Sequence, residues 1–258
     1  MKPLVIEFLG TQGSGKTTLL PVVVSLLREK GIRAQTVVEA ARPFARRTIP
    51  GRIASLLGPA SFQHRLLWQV YYQMSALYAA SFKLQNRGLV KFVNETQQAR
   101  PLDAGVHERR LLFWFFRLCG SYAFLLKYAN ENEAIVFDDG FMHRTVHLNA
   151  SPVEIPQSNN IKTYLSKTPL PDLVIVPRVP LSVCVSRVKS RGLWKYFREK
   201  TEDELQLYLA HSENIVDFTV NELHSKGCLI IEVDNSDSDV QRPIDELREK
   251  IKGNFVVA

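Results

Sequence analysis

Hydrophobic residues along this chain form short apolar runs that are separated by longer amphipathic stretches. Five runs are short, apolar and rich in β-branched residues, as expected of buried strands. They span residues 4–9, 32–39, 134–137, 172–176 and 228–233. Because helical patterns separate these runs, the sequence predicts an α/β fold with a doubly wound parallel sheet and right-handed crossovers.

The stretches between these runs predict helices and one long loop. Predicted helices span about 15–30, 141–148, 181–191, 201–226 and 242–252. Gly31 and Gly227 are natural helix stops. Residues 149–171 are polar and contain four prolines, which predicts a long loop.

A different pattern fills residues 42–130, where no strand is apparent and helical periodicity dominates. Of the 25 aromatic residues, 14 fall between residues 62 and 128, and arginines are interspersed among them. We interpret this region as a helical insertion after the second strand. Aromatic residues at helical spacing usually form a core, but here they also allow a pocket that stacks a planar ring.

Composition indicates a globular protein whose basic charge is either a solvated surface or a surface for acidic partners. The chain has 258 residues, a net charge of +7 and a calculated pI of about 9.3, which favours phosphates, nucleic acid or anionic lipid. Three widely spaced cysteines suggest a reducing compartment. With no signal-peptide pattern at the start, we expect a cytoplasmic protein. The apolar stretch 111–126 carries Arg117 at its centre, so we expect a buried helix and no membrane span.

One segment fits the phosphate-binding pattern G-x-x-x-x-G-K-[ST] at every required position. It follows the first predicted strand and precedes the first predicted helix, which is the context that the pattern requires. Its backbone N–H groups and the helix N-terminus would cradle phosphates. The expected nucleotide-binding residues are Gly10, Gly13, Ser14, Gly15, Lys16, Thr17 and Thr18.

Within this loop, two side chains are expected to contribute chemistry. Lys16 would reach the β- and γ-phosphates of ATP, and the Thr17 hydroxyl would be a ligand of Mg²⁺. The third strand ends in Asp138 and Asp139, which matches the acidic element of nucleoside triphosphatases. We expect Asp138 to hold Mg²⁺, and Asp139 either to replace it or to contact the acceptor.

Four further side chains are candidates for the transfer step. Glu39 ends the second predicted strand and could accept a proton from an attacking hydroxyl, whereas Arg42 could bind an acceptor that is itself a phosphate. Arg187 and Arg191 share one helix face and begin a basic segment, 187–201, that we predict to close as a lid over the phosphates. Each of these side chains could instead be an ordinary surface charge.

His143 and His147 stand four residues apart, which would place both imidazoles on one face of a helix. This spacing is compatible with a metal site, but no third ligand is apparent in the sequence. The pair therefore does not by itself predict zinc binding.

Taken in order, these motifs resemble the P-loop kinases of nucleosides and nucleoside monophosphates, thymidylate kinases most of all. The resemblance covers both ends of the chain but not the insertion. The matching segments are the G-K-T-T of residues 15–18, the Arg-Pro of 42–43, Asp138, the P-D-L-V-I of 171–175, the R-x-x-x-R-G of 187–192, and the last strand and loop, 230–236.

This resemblance implies a single P-loop domain over residues 1–258, of three layers with a five-stranded parallel sheet. It also implies that segment 230–236 packs beside adenine and that the acceptor lies under the insertion. Two positions depart from thymidylate kinases. The usual Asp-Arg pair is replaced by Asp138-Asp139, and Gln12 replaces an acid in the loop. The G-S-G-K form of the loop is closer to that of deoxynucleoside kinases. In that family Glu39 would match the glutamate that acts as the base.

We therefore predict a phosphotransferase that moves the γ-phosphoryl group of Mg-ATP to a small molecule, most favourably a nucleoside monophosphate or nucleoside. A sugar or another small-metabolite hydroxyl comes next. Two alternatives stay open: an ATP-driven regulatory or assembly switch, and a nucleic-acid 5′-end kinase. A homodimer also stays open.

Overall fold

Five strands lie side by side in one all-parallel sheet. A computed structural model describes residues 2–98, 105–192, 197, 200–236 and 241–254. The strands run in the order β2-β3-β1-β4-β5. They are β1 (Leu4–Phe8), β2 (Arg33–Thr36), β3 (Glu133–Phe137), β4 (Leu173–Arg178) and β5 (Leu229–Asp234).

The central strand β1 pairs with β3 on one side and β4 on the other, with Ile6 opposite both Val136 and Leu173. Its side chains alternate between the two faces of the sheet. Val5 belongs to the hydrophobic cluster on one face, and Ile6 to the cluster on the other. Because both faces of the sheet are covered, β1 is apolar throughout except at Glu7.

Helices cover both faces of the sheet and complete a three-layer arrangement. The first and last helices cover one face together, and the others cover the opposite face. The helices are α1 (Lys16–Glu29), α2 (Val37–Arg47), α3 (Ile49–Ala54), α4 (Ala60–Gln85), α5 (Arg87–Gln98), α6 (Gly105–Tyr128), α7 (Phe141–Asn149), α8 (Ser158–Leu165), α9 (Leu181–Arg191), α10 (Glu202–Ser225) and α11 (Gln241–Asn254).

The strand order and the glycine-rich connection from β1 to α1 together define the fold of P-loop NTPases. This confirms the predicted fold class, including the helical insertion after the second strand, which comprises α2 to α6. The apolar stretch 111–126 lies within α6, where Phe115 and Phe124 are fully buried. Across the described ranges, no helix has both the length and the apolar character needed to cross a membrane.

Two predicted boundaries are wrong. The second strand stops at Thr36, and the residues that follow form α2, because Thr36 caps that helix and Glu39 completes a capping box with it. The predicted loop 149–171 contains α8, an amphipathic helix that buries Ile161, Tyr164 and Leu165 against the core. Capping at Thr36 therefore favours a helix over the predicted strand, and packing of α8 favours a helix over the predicted loop.

A partly buried ion pair fastens the insertion to the sheet. Arg47 at the end of α2 donates two hydrogen bonds, of 2.7 and 2.6 Å, to the carboxylate oxygens of Glu133 at the start of β3. Only 3% of the Glu133 side chain is exposed, and Asn130 N–H also donates to it at 2.7 Å. Burial alone would raise the pKa of Glu133, but the hydrogen bonds from Arg47 and Asn130 hold it below its ordinary value.

Substitution Glu133→Gln should lower the free energy of unfolding by about 2 kcal/mol, because it removes the charge-assisted hydrogen bonds between the Glu133 carboxylate and Arg47. Urea unfolding at pH 7 measures this loss, and Glu154→Gln, at an exposed site, is the matched control. Since the pKa of Glu133 is lowered in the folded protein, its contribution should fade as the pH falls through that pKa. An equal gap between wild type and variant at pH 7 and at pH 3 would contradict this account.

Candidate active site

The loop between β1 and α1 curls so tightly that two of its glycines cannot be replaced without strain. Gly13 and Gly15 have φ values of +84° and +91°, in the region that favours glycine. A Cβ at Gly13 would lie 2.8 Å from the Cys184 carbonyl oxygen, and one at Gly15 would lie 2.1 Å from Nδ2 of Asn235. The loop therefore lies in close contact with the backbone of α9 at Gly13 and with the side chain of Asn235 at Gly15.

Side chains from two neighbouring elements hold this loop. Asn235 donates from Nδ2 to the Ser14 carbonyl at 2.8 Å and is buried. Arg187 on α9 donates from Nη1 to the Gly13 carbonyl at 3.4 Å. The sequence analysis missed the role of Asn235, although its position directly after β5, at the carboxyl edge of the sheet, is a usable signal.

Lys16 begins α1 and folds back over the loop. Its Nζ donates to the carbonyl oxygens of Gly10 and Thr11, both at 2.8 Å. Burial lowers the pKa of Lys16 to about 8, while the nearby carboxylate of Asp139 opposes that shift. Thr17 and Thr18 are exposed in the first turn of α1. Loop N–H groups, a helix N-terminus and an ammonium therefore converge in a form suited to phosphate.

Asp138 directly follows β3, which is the neighbour of β1, so it lies at the same sheet edge as the loop. Burial raises the pKa of Asp138, the charge of Asp139 raises it further, and Lys16 opposes the shift. The Thr17 hydroxyl and the Asp138 carboxylate are oxygen donors, which is the ligand chemistry that Mg²⁺ prefers. Their ligand chemistry and their shared position at this edge of the sheet therefore suit the predicted Mg²⁺ site.

Asp139 makes an ion pair that the sequence analysis missed. Arg144 on α7 donates from Nη2 to Asp139 Oδ2 at 2.5 Å, and only 6% of the Arg144 side chain is exposed. The other carboxylate oxygen, Oδ1, is buried and accepts no hydrogen bond from the residues that the structure describes. The spacing of five residues across a turn into a helix gave no sequence signal for this contact.

Glu39 does not end a strand, so the premise of its predicted catalytic role is wrong. Its carboxylate accepts hydrogen bonds from Thr36 N–H at 2.9 Å and from Arg28 Nη2 at 3.2 Å. Arg28 lies in the last turn of α1, roughly 18 Å along the helix from Lys16 at 1.5 Å per residue. Burial raises the pKa of Glu39, but the Thr36 N–H and the charge of Arg28 outweigh it.

Arg42 lies on α2 beside a series of aromatic rings. Its Nε is buried and has no hydrogen-bond partner among the described residues, and its guanidinium carbon is 6.0 Å from the centre of the Trp68 ring. Trp68 stacks on Tyr72 at 5.6 Å, and the guanidinium of Arg117 lies 4.8 Å from the Tyr72 ring. Cations and flat rings thus alternate along α2, α4 and α6, an arrangement that can stack another planar ring.

Arg191 ends α9 one turn after Arg187 and is exposed. Its positive charge contributes to lowering the pKa of Lys16, as expected of a group on the phosphate side of the fold. Of the predicted lid, 187–201, the positions 193–196, 198 and 199 lie outside the described residues. The part of the lid prediction that falls on those positions stays a prediction.

One buried carboxylate lies beneath this site. Glu7 on β1 is fully buried and accepts a hydrogen bond of 2.7 Å from the N–H of Met142, in the first turn of α7. Burial raises the pKa of Glu7 from 4.5 to about 7, although N–H groups of Met142 and Phe141 partly oppose the shift. The sequence analysis missed Glu7, whose signal is a lone acid inside an apolar strand.

No family model matches the chain, and no curated protein matches it either. Among solved structures it is similar to deoxyadenosine kinase from M. mycoides. The form with bound dATP is 12% identical over 96% of this chain and 100% of that chain, with a TM-score of 0.46. The form with products dCMP and a flexible dCDP is 16% identical over 97% and 100%, with a TM-score of 0.43. The assignment of the fold depends on the strand order and the loop described above.

Substitution Glu7→Gln should make the protein more stable than wild type at pH 8 but not at pH 4. The folded state holds the Glu7 proton up to about pH 7, whereas the unfolded chain releases it near 4.5, so wild-type stability falls as the pH rises between these values. The difference should grow by about 3 kcal/mol over that range. Urea unfolding of both proteins across the range measures it, and parallel pH profiles would disprove it.

Proposed function

We propose that this protein is a phosphotransferase that moves the γ-phosphoryl group of ATP to a small-molecule acceptor. The observation that carries the proposal is the geometry of the loop between β1 and α1. Lys16 folds over that loop, and Arg187 and Asn235 hold its backbone in place. Loops of this kind bind the phosphates of nucleoside triphosphates through backbone N–H groups.

In this proposal the loop residues 10–18 bind the nucleotide phosphates. Lys16 neutralises charge on the β- and γ-phosphates, and Arg187 and Arg191 add positive charge from α9 during transfer. Burial lowers the pKa of Lys16 to about 8, and the negative charge of a bound phosphate would favour the charged form of its side chain. Preorganised charges of this kind cost little reorganisation at the moment of reaction.

Thr17 and Asp138 would hold Mg²⁺ with the nucleotide. When bound, the ion neutralises phosphate charge and orients the triphosphate. The protein's own contribution is to supply one hydroxyl and one carboxylate from two neighbouring elements at the carboxyl edge of the sheet. The contact of Asp139 with the acceptor stays a prediction, since Arg144 already occupies one of its oxygens.

The acceptor would lie beside the insertion, and a nucleoside monophosphate is our first choice. Arg42 offers a buried N–H without a partner, which suits an acceptor phosphate. Trp68 and Tyr72, with Arg117 over the latter, offer stacking for a base. A nucleoside is the second choice, because it would need a general base and the carboxylate of Glu39 is engaged in the cap of α2.

Substitution Lys16→Ala should lower phosphoryl transfer by roughly a hundredfold or more, because it removes preorganised positive charge from the γ-phosphate. The measurement is Mg-ATP turnover with separate pools of nucleoside monophosphates, nucleosides, sugars and short oligonucleotides. Stimulation by the monophosphate pool, abolished in the variant, is the expected result.

The matched control is Lys226→Ala, which removes an exposed ammonium at the end of α10. Circular dichroism shows whether both variants keep the wild-type fold. Turnover that no pool stimulates would replace the proposal with an ATP-driven switch. Stimulation by oligonucleotides alone, with steep salt dependence, would replace it with a nucleic-acid kinase.

Substitution Arg42→Ala should raise KM for the phosphorylated acceptor about tenfold while KM for ATP stays near wild type, because a charge-assisted hydrogen bond to one substrate is lost. Arg46→Ala, four residues further along α2 and exposed, is the control. Initial rates over a grid of both substrates separate the two constants. If Arg42→Ala changed neither, the acceptor phosphate would have to bind elsewhere.

A further inference from the structure

A group of three potential metal ligands lies at the start of α7. Asp139 stands in the turn before the helix, and His143 and His147 lie one turn apart on it. One ligand atom from each of these three residues lies within 4.8 Å of the others. The sequence showed only the two histidines, and the tertiary structure adds the third ligand, because the turn after β3 returns Asp139 to the same face of α7.

Two of these side chains have buried polar atoms that make no hydrogen bond within the part of the chain that the structure describes. Only 4% of His143 is exposed, and its Nδ1 has no hydrogen-bond partner. Asp139 Oδ1 is also buried without a partner and lies 3.8 Å from His147 Nδ1. Leaving a buried polar group without a partner costs about 1–3 kcal/mol, so such atoms usually meet a water, a ligand or an ion.

The neighbouring charges both oppose and favour a cation. Arg144 donates to Asp139 Oδ2 at 2.5 Å and contacts His147 Nδ1 at 3.0 Å, so a bound cation would displace the second contact. Lys16 also acts electrostatically on His143 and repels a cation. Asp139 supplies one negative charge directly, and Asp138 is the adjacent residue. Because these charges partly cancel, we expect the three side chains to bind a cation with moderate affinity.

We propose that Asp139, His143 and His147 form a binding site for a divalent transition-metal ion of the Zn²⁺ class, separate from the Mg²⁺ ligands Thr17 and Asp138. Two imidazoles and one carboxylate are a ligand set that zinc sites use, with a fourth position left for water or another ligand. His147 and His143 are four residues apart on one helix, the spacing that places two imidazoles on a single ion.

Ligand chemistry distinguishes this site from the Mg²⁺ position. Imidazole nitrogen binds zinc, cobalt, nickel and copper well, whereas Mg²⁺ prefers carboxylate, carbonyl and water oxygens. The proposed site has two nitrogen donors, and the Thr17–Asp138 pair has none. An excess of Mg²⁺ should therefore leave the transition-metal ion in place.

The test is titration of the full chain with Zn²⁺ against a chromophoric chelator, in a large excess of Mg²⁺. Wild type should take up one equivalent. His147→Gln and His143→Gln should each weaken binding more than about tenfold, since each removes a direct ligand. The exposed His64→Gln variant is the matched control and should bind like wild type.

Cobalt(II) substitution gives an independent readout. The site should produce the visible absorption of a low-coordinate cobalt ion, without a thiolate charge-transfer band, and His147→Gln should abolish it. Circular dichroism confirms folding, and the partly exposed His147 keeps the test valid if the buried His143 variant fails to fold. Equal binding by wild type and His147→Gln, displacement by Mg²⁺, a thiolate band or no stoichiometric uptake would each overturn the proposal.

Discussion

The structure depends above all on the close approach of two elements to the loop after β1. The backbone of α9 leaves no room for a side chain at Gly13, and Asn235 leaves none at Gly15. Because β4 and β5 precede these groups, the loop keeps its shape only when both strands pair in the observed register. A phosphate-binding conformation at one edge of the sheet is therefore a property of the whole parallel arrangement.

Two buried carboxylates on neighbouring strands, Glu133 at the start of β3 and Glu7 on β1, are accommodated in different ways. Glu133 is ionised and paired with Arg47, which stabilises the folded state at neutral pH. Glu7 has no cationic partner among the contacts described for it and keeps its proton up to about pH 7, so its hydrogen bond to α7 survives burial. The first fastens the helical insertion, and the second connects the central strand to the helix that carries the histidines.

Much of the fold was predictable because strands buried on both faces are apolar throughout, and the loop pattern requires a strand before it and a helix after it. The second strand was misjudged because the apolar residues before Glu39 suit either conformation. The capping signature T-x-x-E at Thr36, which is visible in the sequence, decides for helix. Helix α8 was missed because four prolines obscure a short amphipathic pattern whose buried face only packing reveals.

By itself, the sequence determined the P-loop, its place after the first strand and the parallel α/β class. These features depend on local sequence patterns that are typical of strands, glycine-rich loops and helices. Only the three-dimensional structure decided which side chains meet. It placed Asn235 on the loop, Arg144 on Asp139, and Asp139 beside two histidines, and it removed Glu39 from the end of a strand. Contacts between residues far apart in the chain depend on register and packing, which a single sequence does not display.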